Sequence, residues 1–127
     1  MSTIQKGARM ELEALRQDVA DGWTLMPNGR PKRVKFQDND VFGVADYVVW
    51  KQSALLARYG LYCRKYVQVT NHAHATAHKQ NCIEWAAIHA IRGKEFVELA
   101  IYREPHWQGR GKNKVWIGKT TWRRELI

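Results

Sequence analysis

Apolar residues near the start of the chain recur at three- and four-residue intervals, Leu12, Leu15, Val19 and Trp23, and predict a helix over residues 8–23 that weakens at Gly22. At 100° per residue, Glu11 falls roughly 60° from the centre of this apolar arc and Glu13 about 140° away, so Glu11 borders the core and Glu13 is solvated. Residues 41–50 are almost wholly apolar, β-branched and aromatic, the pattern of a strand covered on both faces, and they include one acid, Asp46. Residues 62–70 alternate, with Val67 and Val69 on one face and Tyr66, Gln68 and Thr70 on the other. Between these strands, residues 51–61 make a long connection in which 53–58 form a helical turn. Asn71 is an N-cap for a helix over residues 72–91, stopped by Gly93. Its inward stripe is read as Thr76, Ile83, Ala86, Ala87 and Ala90, with Lys79 in the middle. Residues 95–102 alternate again as a strand. A Gly-rich basic loop at 103–114 is followed by a short strand at 115–117 and a basic tail.

The expected class is therefore α/β: a single domain over residues 1–127, with a central mixed sheet flanked by helices in the order α-β-β-α-β-β. A formal charge of +9 and a pI near 9.8 suggest a polyanionic partner, and interleaved Trp and Tyr favour nucleic acid over a membrane. No apolar run is long enough to span a bilayer and the first residues lack the apolar core of a signal peptide, so a cytosolic location is expected. Cys63 and Cys82 lack CxxC spacing and are read as reduced packing residues.

An acid inside a buried strand needs a partner, because burial of an unpaired carboxylate costs several kcal/mol or forces protonation. Asp46 beside the polar row of the next strand is an arrangement expected of a cation site. Candidate phosphate contacts are Lys6, the basic segment Arg30, Lys32, Arg33 and Lys35 after the Pro27-Asn28-Gly29 turn, and Arg110, Lys112 and Lys114 in the later loop. Trp107 suits base stacking as well as packing, whereas Trp116, at strand spacing, is assigned to the core. His74, His78 and Cys82 repeat at helical spacing and with His72 offer an alternative zinc site, on the face away from the core. No GxSxG, P-loop or dinucleotide fingerprint is present, which leaves phosphodiester chemistry.

Lys6-Gly7-Ala8-Arg9-Met10-Glu11, opening the first helix, resembles the start of the archaeal Holliday junction resolvases of the PD-(D/E)XK nuclease superfamily. In that family a helix glutamate, an aspartate heading a strand and a Glu-x-Lys on the paired strand form the site. The resemblance covers roughly residues 5–102 and implies a restriction-endonuclease-like fold. Glu11 takes the helix position, Asp46 in Asp46-Tyr47-Val48-Val49 the aspartate position, and Gln68-Val69-Thr70 the place of Glu-x-Lys. Gln68 offers a cation an amide oxygen without charge, and Thr70 cannot act as an ammonium. The superfamily tolerates migration of its lysine to a neighbouring helix, which makes Lys79 the candidate. Asp40 shares the parity of Asp46 and is the candidate for the missing charge, unless Gly43 introduces a bulge.

The resemblance implies a Mg²⁺- or Mn²⁺-dependent endonuclease with metal ligands Glu11, Asp46, Gln68 and the Val69 carbonyl, acting as a homodimer on branched DNA in recombination or repair. The competing expectation is a non-catalytic DNA-binding module on the same fold, motivated by Gln68 and Thr70.

Overall fold

The long alternating segment becomes the middle of a sheet. In the computed structural model, which describes residues 3–30, 44–52, 62–90 and 94–127, strand β3 (Tyr62–Asn71) lies between β2 (Tyr47–Gln52), antiparallel, and β4 (Glu95–Arg103), parallel. The five-stranded mixed sheet runs β1-β2-β3-β4-β7, with β1 at Thr24–Leu25 and β7 at Thr121–Leu126 on the edges. Two short strands, β5 (His106–Gln108) and β6 (Val115–Ile117), pair with each other as a separate hairpin. The parallel β3–β4 pair requires a crossover, and α2 (Ala75–His89) supplies it. With α1 (Thr3–Ala20), the described residues form an α/β fold of two helices and a mixed sheet.

Strand alternation divides the core into two layers. Tyr47, Val49, Val67 and Ala100 pack against Ala14 and Leu15 of α1. Val48, Tyr66, Val97, Leu99 and Ile101 pack with Ala75 and Cys82 of α2 on the opposite face. Residues 53–58 and Gly43 lie outside the described residues.

Several expectations are corrected. Helix α1 starts at Thr3, its buried face is Met10, Ala14, Leu15 and Asp18, and Val19 is exposed. It ends in a Schellman turn, with Trp23 N–H donating to Asp18 O and Gly22 N–H to Val19 O, and Gly22 at φ 95°. In α2 the buried positions are Ala75 and Cys82, with Trp85 and Ala86 packed beside them, while Thr76, Ile83, Ala87 and Ile88 face outward. Apolar residues surround this helix on every side, so the wheel could be turned wrongly. The expected tail is the edge strand β7, Trp107 sits in β5, and Trp116 is exposed against Trp107 at 5.3 Å between ring centroids. Gly29 lies against β2, where it accepts from Val48 N–H at 2.7 Å; a Cβ there would stand 2.6 Å from the Val48 carbonyl.

Candidate functional site

Asp46 stands at a bend immediately before β2, so the strand begins one residue after it. Its backbone N–H donates to Val67 O, and its carboxylate accepts the Val69 N–H at 2.6 Å. A carboxylate thus replaces the ladder partner that a bent backbone no longer presents. Gln68, beside it, is buried and donates its amide N–H to the Val69 carbonyl at 3.4 Å. Thr70, also buried, donates its hydroxyl to Asn71 O at 3.3 Å. The Val69 backbone thus meets the Asp46 carboxylate through its N–H and the Gln68 amide through its carbonyl.

Register shows which face they occupy. The β2–β3 ladder ends at the Tyr47–Val67 pair, and in the bend before it Asp46 N–H donates to Val67 O; farther into the sheet Gln68 pairs with Leu99, and Leu99 with Glu125. This transverse row faces α2. Burial, and after it the Asp46 carboxylate, push the Cys82 thiol of that helix up to about 11.

The row also locates Lys79, and here the expectation of an inward ammonium is overturned. With Ala75, Cys82 and Ala86 turned to the sheet, Lys79 lies about 40° off the buried direction. It is exposed, and its ammonium is 3.4 Å from Glu125 at the far end of the same row. Two strand spacings, roughly 10 Å, separate Glu125 from Gln68 in that row.

Glu11 comes from the other layer, but from the same end of the sheet. The N-terminal half of α1 is tied there by Lys6, which bonds Glu104 just beyond β4, and Asn71 at the end of β3 donates to the same carboxylate at 3.4 Å. Glu11 lies farther along this helix, half-buried. Asp46, Gln68–Thr70 and the Glu11 half of α1 thus share the end at which β3 and β4 finish, where crevices form in sheets with parallel strands. Asp40, Lys32, Arg33 and Lys35 lie outside the described residues.

The remaining basic candidates divide. Lys6 is occupied by Glu104, and Arg30 donates to Ala8 O at 3.3 Å, so both tie structure together. Arg110, Lys112 and Lys114 are exposed on the β5–β6 connection. The zinc alternative is corrected: Cys82 is in the core while His72 and His74 are exposed, and no group of three or more His, Cys, Asp or Glu assembles among the described residues. Both cysteines are free thiols.

Sequence reasoning missed a second charged group, on the α1 face. Asp18 is almost fully buried and meets Lys65 at 2.7 Å, Arg124 at 3.2 Å and the Tyr47 hydroxyl, which donates to it. Glu98 joins from β4, 3.1 Å from Lys65 and 2.8 Å from Arg124. Lys65 also lies 4.4 Å over the Trp23 ring. Two carboxylates face two cations, so the cluster is neutral and saturated, and its role is cohesion between α1 and the sheet. Asp18 one turn after Ala14, on the apolar side of α1, was the sequence signal.

Comparison with protein-family models, curated proteins and solved structures returns no match. The chemistry of the donors is then the guide. Asp46, the Gln68 amide and the Val69 carbonyl offer oxygen only, the hard donor set of Mg²⁺ or Mn²⁺ and unlike the thiolate and imidazole sets typical of structural zinc. These residues fit such an ion. No described helix is long and apolar enough to cross a membrane.

Proposed function

We propose that this protein is a metal-dependent endonuclease with a restriction-endonuclease-like fold, acting on branched DNA. The observation that carries the proposal is the contact of the Asp46 carboxylate with the Val69 N–H, beside the buried Gln68 amide, at the end of the parallel strands. Asp46, the Gln68 amide oxygen and the Val69 carbonyl would hold Mg²⁺ or Mn²⁺, with Glu11 contributing from α1. When bound, such an ion activates water and neutralises charge on a phosphodiester. The chain's own part is to fix these oxygens: the bend before β2 aims Asp46, and β3 fixes Gln68 and Val69. The charge of +9 supports a polyanionic substrate. Paired cuts across a junction call for two copies, so the acting form is proposed to be a homodimer.

The test is incubation of purified protein with labelled four-way junction, flap and single-stranded DNA, in Mn²⁺ and in chelator. Products are expected in Mn²⁺ alone, and Asp46→Asn is expected to abolish them while DNA binding persists. Unchanged cutting by Asp46→Asn would remove the assignment.

A second reading, a non-catalytic DNA-binding module, is favoured by one observation: Lys79 is paired with Glu125, and Gln68 and Thr70 provide no charge in its place. Tight, salt-sensitive binding without product in Mn²⁺ would select it.

A further inference from the structure

Next to the row of Gln68, Leu99 and Glu125 lies a second transverse row, in which Thr70 pairs with Ile101 and Ile101 with Arg123. Ile101 and Arg123 border a cavity of about 340 Å³ between β4, β7 and the β5–β6 hairpin. Its size is at the lower bound of pockets that take small molecules. Its charge is one-sided: Arg103, Lys119 and Arg123 line it together with the imidazoles of His72 and His106, and no carboxylate does among the described residues.

These groups come from four separate places in the chain. Arg103 ends β4, His72 opens the turn leading to α2, His106 starts the hairpin, and Lys119 and Arg123 follow it. Arg103 and Lys119 make no ion pair among the described residues, while Arg123 has Glu125 3.9 Å away. The His106 ring is held by Glu104 O, 2.8 Å from Nδ1; a carbonyl can only accept, so Nδ1 carries the proton. The hairpin turns one side to the cavity. His106 and Ile117, paired in register, line it, whereas the next pair, Trp107 and Trp116, stands outside and exposed.

Several positive groups around a single concavity, two of them without a carboxylate, match a compact ligand that carries more than one negative charge. A phosphate monoester carries about −1.5 to −2 near neutral pH and offers three acceptor oxygens. A phosphodiester in a strand carries one charge. The exposed Arg110, Lys112 and Lys114 suit the diester backbone; the cavity suits a phosphate end.

We infer that this cavity binds a phosphate monoester, and that its ligand is the terminal phosphate of a nucleic-acid strand held beside the Asp46 surface. The monoester site stands on the cavity alone; the strand as its source rests on the nucleic-acid function proposed above.

The test measures binding of the full chain, in chelator, by anisotropy of labelled single strands with and without a phosphate at either end, and of inorganic phosphate and a mononucleotide as competitors. The strand with the terminal phosphate is expected to bind roughly tenfold more tightly, the effect of one or two charge-assisted contacts. R103Q/K119Q, both positions being exposed, is expected to melt like the parent and to lose that preference, whereas R103K/K119R keeps it. K112Q/K114Q, away from the cavity, should weaken both strands alike. Equal affinity of the parent for the two strands, without competition by phosphate, overturns the inference and leaves the nuclease proposal untouched. Binding of inorganic phosphate that R103Q/K119Q abolishes, with no strand bound at all, keeps the monoester site and overturns the nucleic-acid source.

Discussion

The Asp46 carboxylate accepts the backbone N–H of Val69 at 2.6 Å, so one side chain serves both as the ladder partner of β3 and as the acid of the proposed site. These duties separate on mutation. Asparagine keeps an oxygen that can accept the Val69 N–H, so Asp46→Asn should stay within about 1 kcal/mol of the parent, whereas Asp46→Ala leaves that donor unmet and should cost about 1–3 kcal/mol. Urea denaturation of the two variants, beside the cleavage assay, checks the separation.

Lys79 belongs to the opposite edge of the row. Its pair with Glu125 is half-exposed, and such pairs contribute at most about 1 kcal/mol. Lys79→Ala should therefore alter stability little and leave Mn²⁺-dependent cleavage within about twofold of the parent. Loss of cleavage with DNA binding intact would show that its ammonium leaves Glu125 for the phosphate during reaction.

Lys65 sits between Asp18 and Glu98, and its removal leaves two carboxylates facing one guanidinium. Breaking a buried pair in this way typically costs about 3–5 kcal/mol. Lys65→Met should lower the urea midpoint by an amount in that range, and Lys65→Met with Asp18→Asn should cost less than the sum of the single changes. Additive losses would mean that the two residues do not interact.

Stability should also fall at alkaline pH. Burial and then the neighbouring Asp46 push Cys82 from its ordinary 9.0 up to about 11. Burial and then the Glu95 carboxylate push Tyr66 from 10.0 up to about 12. Both groups bind protons more tightly when folded, so their contribution is complete below pH 9 and is lost as pH rises to about 12. Melting temperatures measured from pH 8 to 11 should decline, and Cys82→Ala should flatten the first part of the decline. Alkylation should reach Cys63 before Cys82.

The pairing of β2 with β3 and the face of Gln68 were legible because period-two alternation in β3 leaves no second choice of face, whereas the bend that leaves Asp46 just outside β2 was not. Asn71 was legible as a cap only in part: its side chain accepts the Ala73 N–H, but of a 3-10 turn at His72–His74, and α2 starts after it at Ala75 without a side-chain cap. What escaped were elements held by charge. Strand β7 reads as a solvated tail because Arg124 looks like a surface residue, yet that guanidinium turns toward α1 and meets Asp18, Glu98 and Gln17. Periodicity scores apolar side chains and is blind to a buried ion pair. In α2 the Ala, Ile and Trp positions encircle the axis, so only the contacts of Cys82 and Trp85 with the sheet fix its rotation.

The neutral cluster has a consequence for the growing chain. Asp18 and Glu98 are balanced by Lys65 and by Arg124, and the guanidinium lies 106 positions after the aspartate it meets. Until residue 124 has left the ribosome, the interior between α1 and the sheet holds one cation against two anions. Closure of that layer should therefore wait for the last strand, and a nascent chain halted before β7 should remain open to protease on its α1 side.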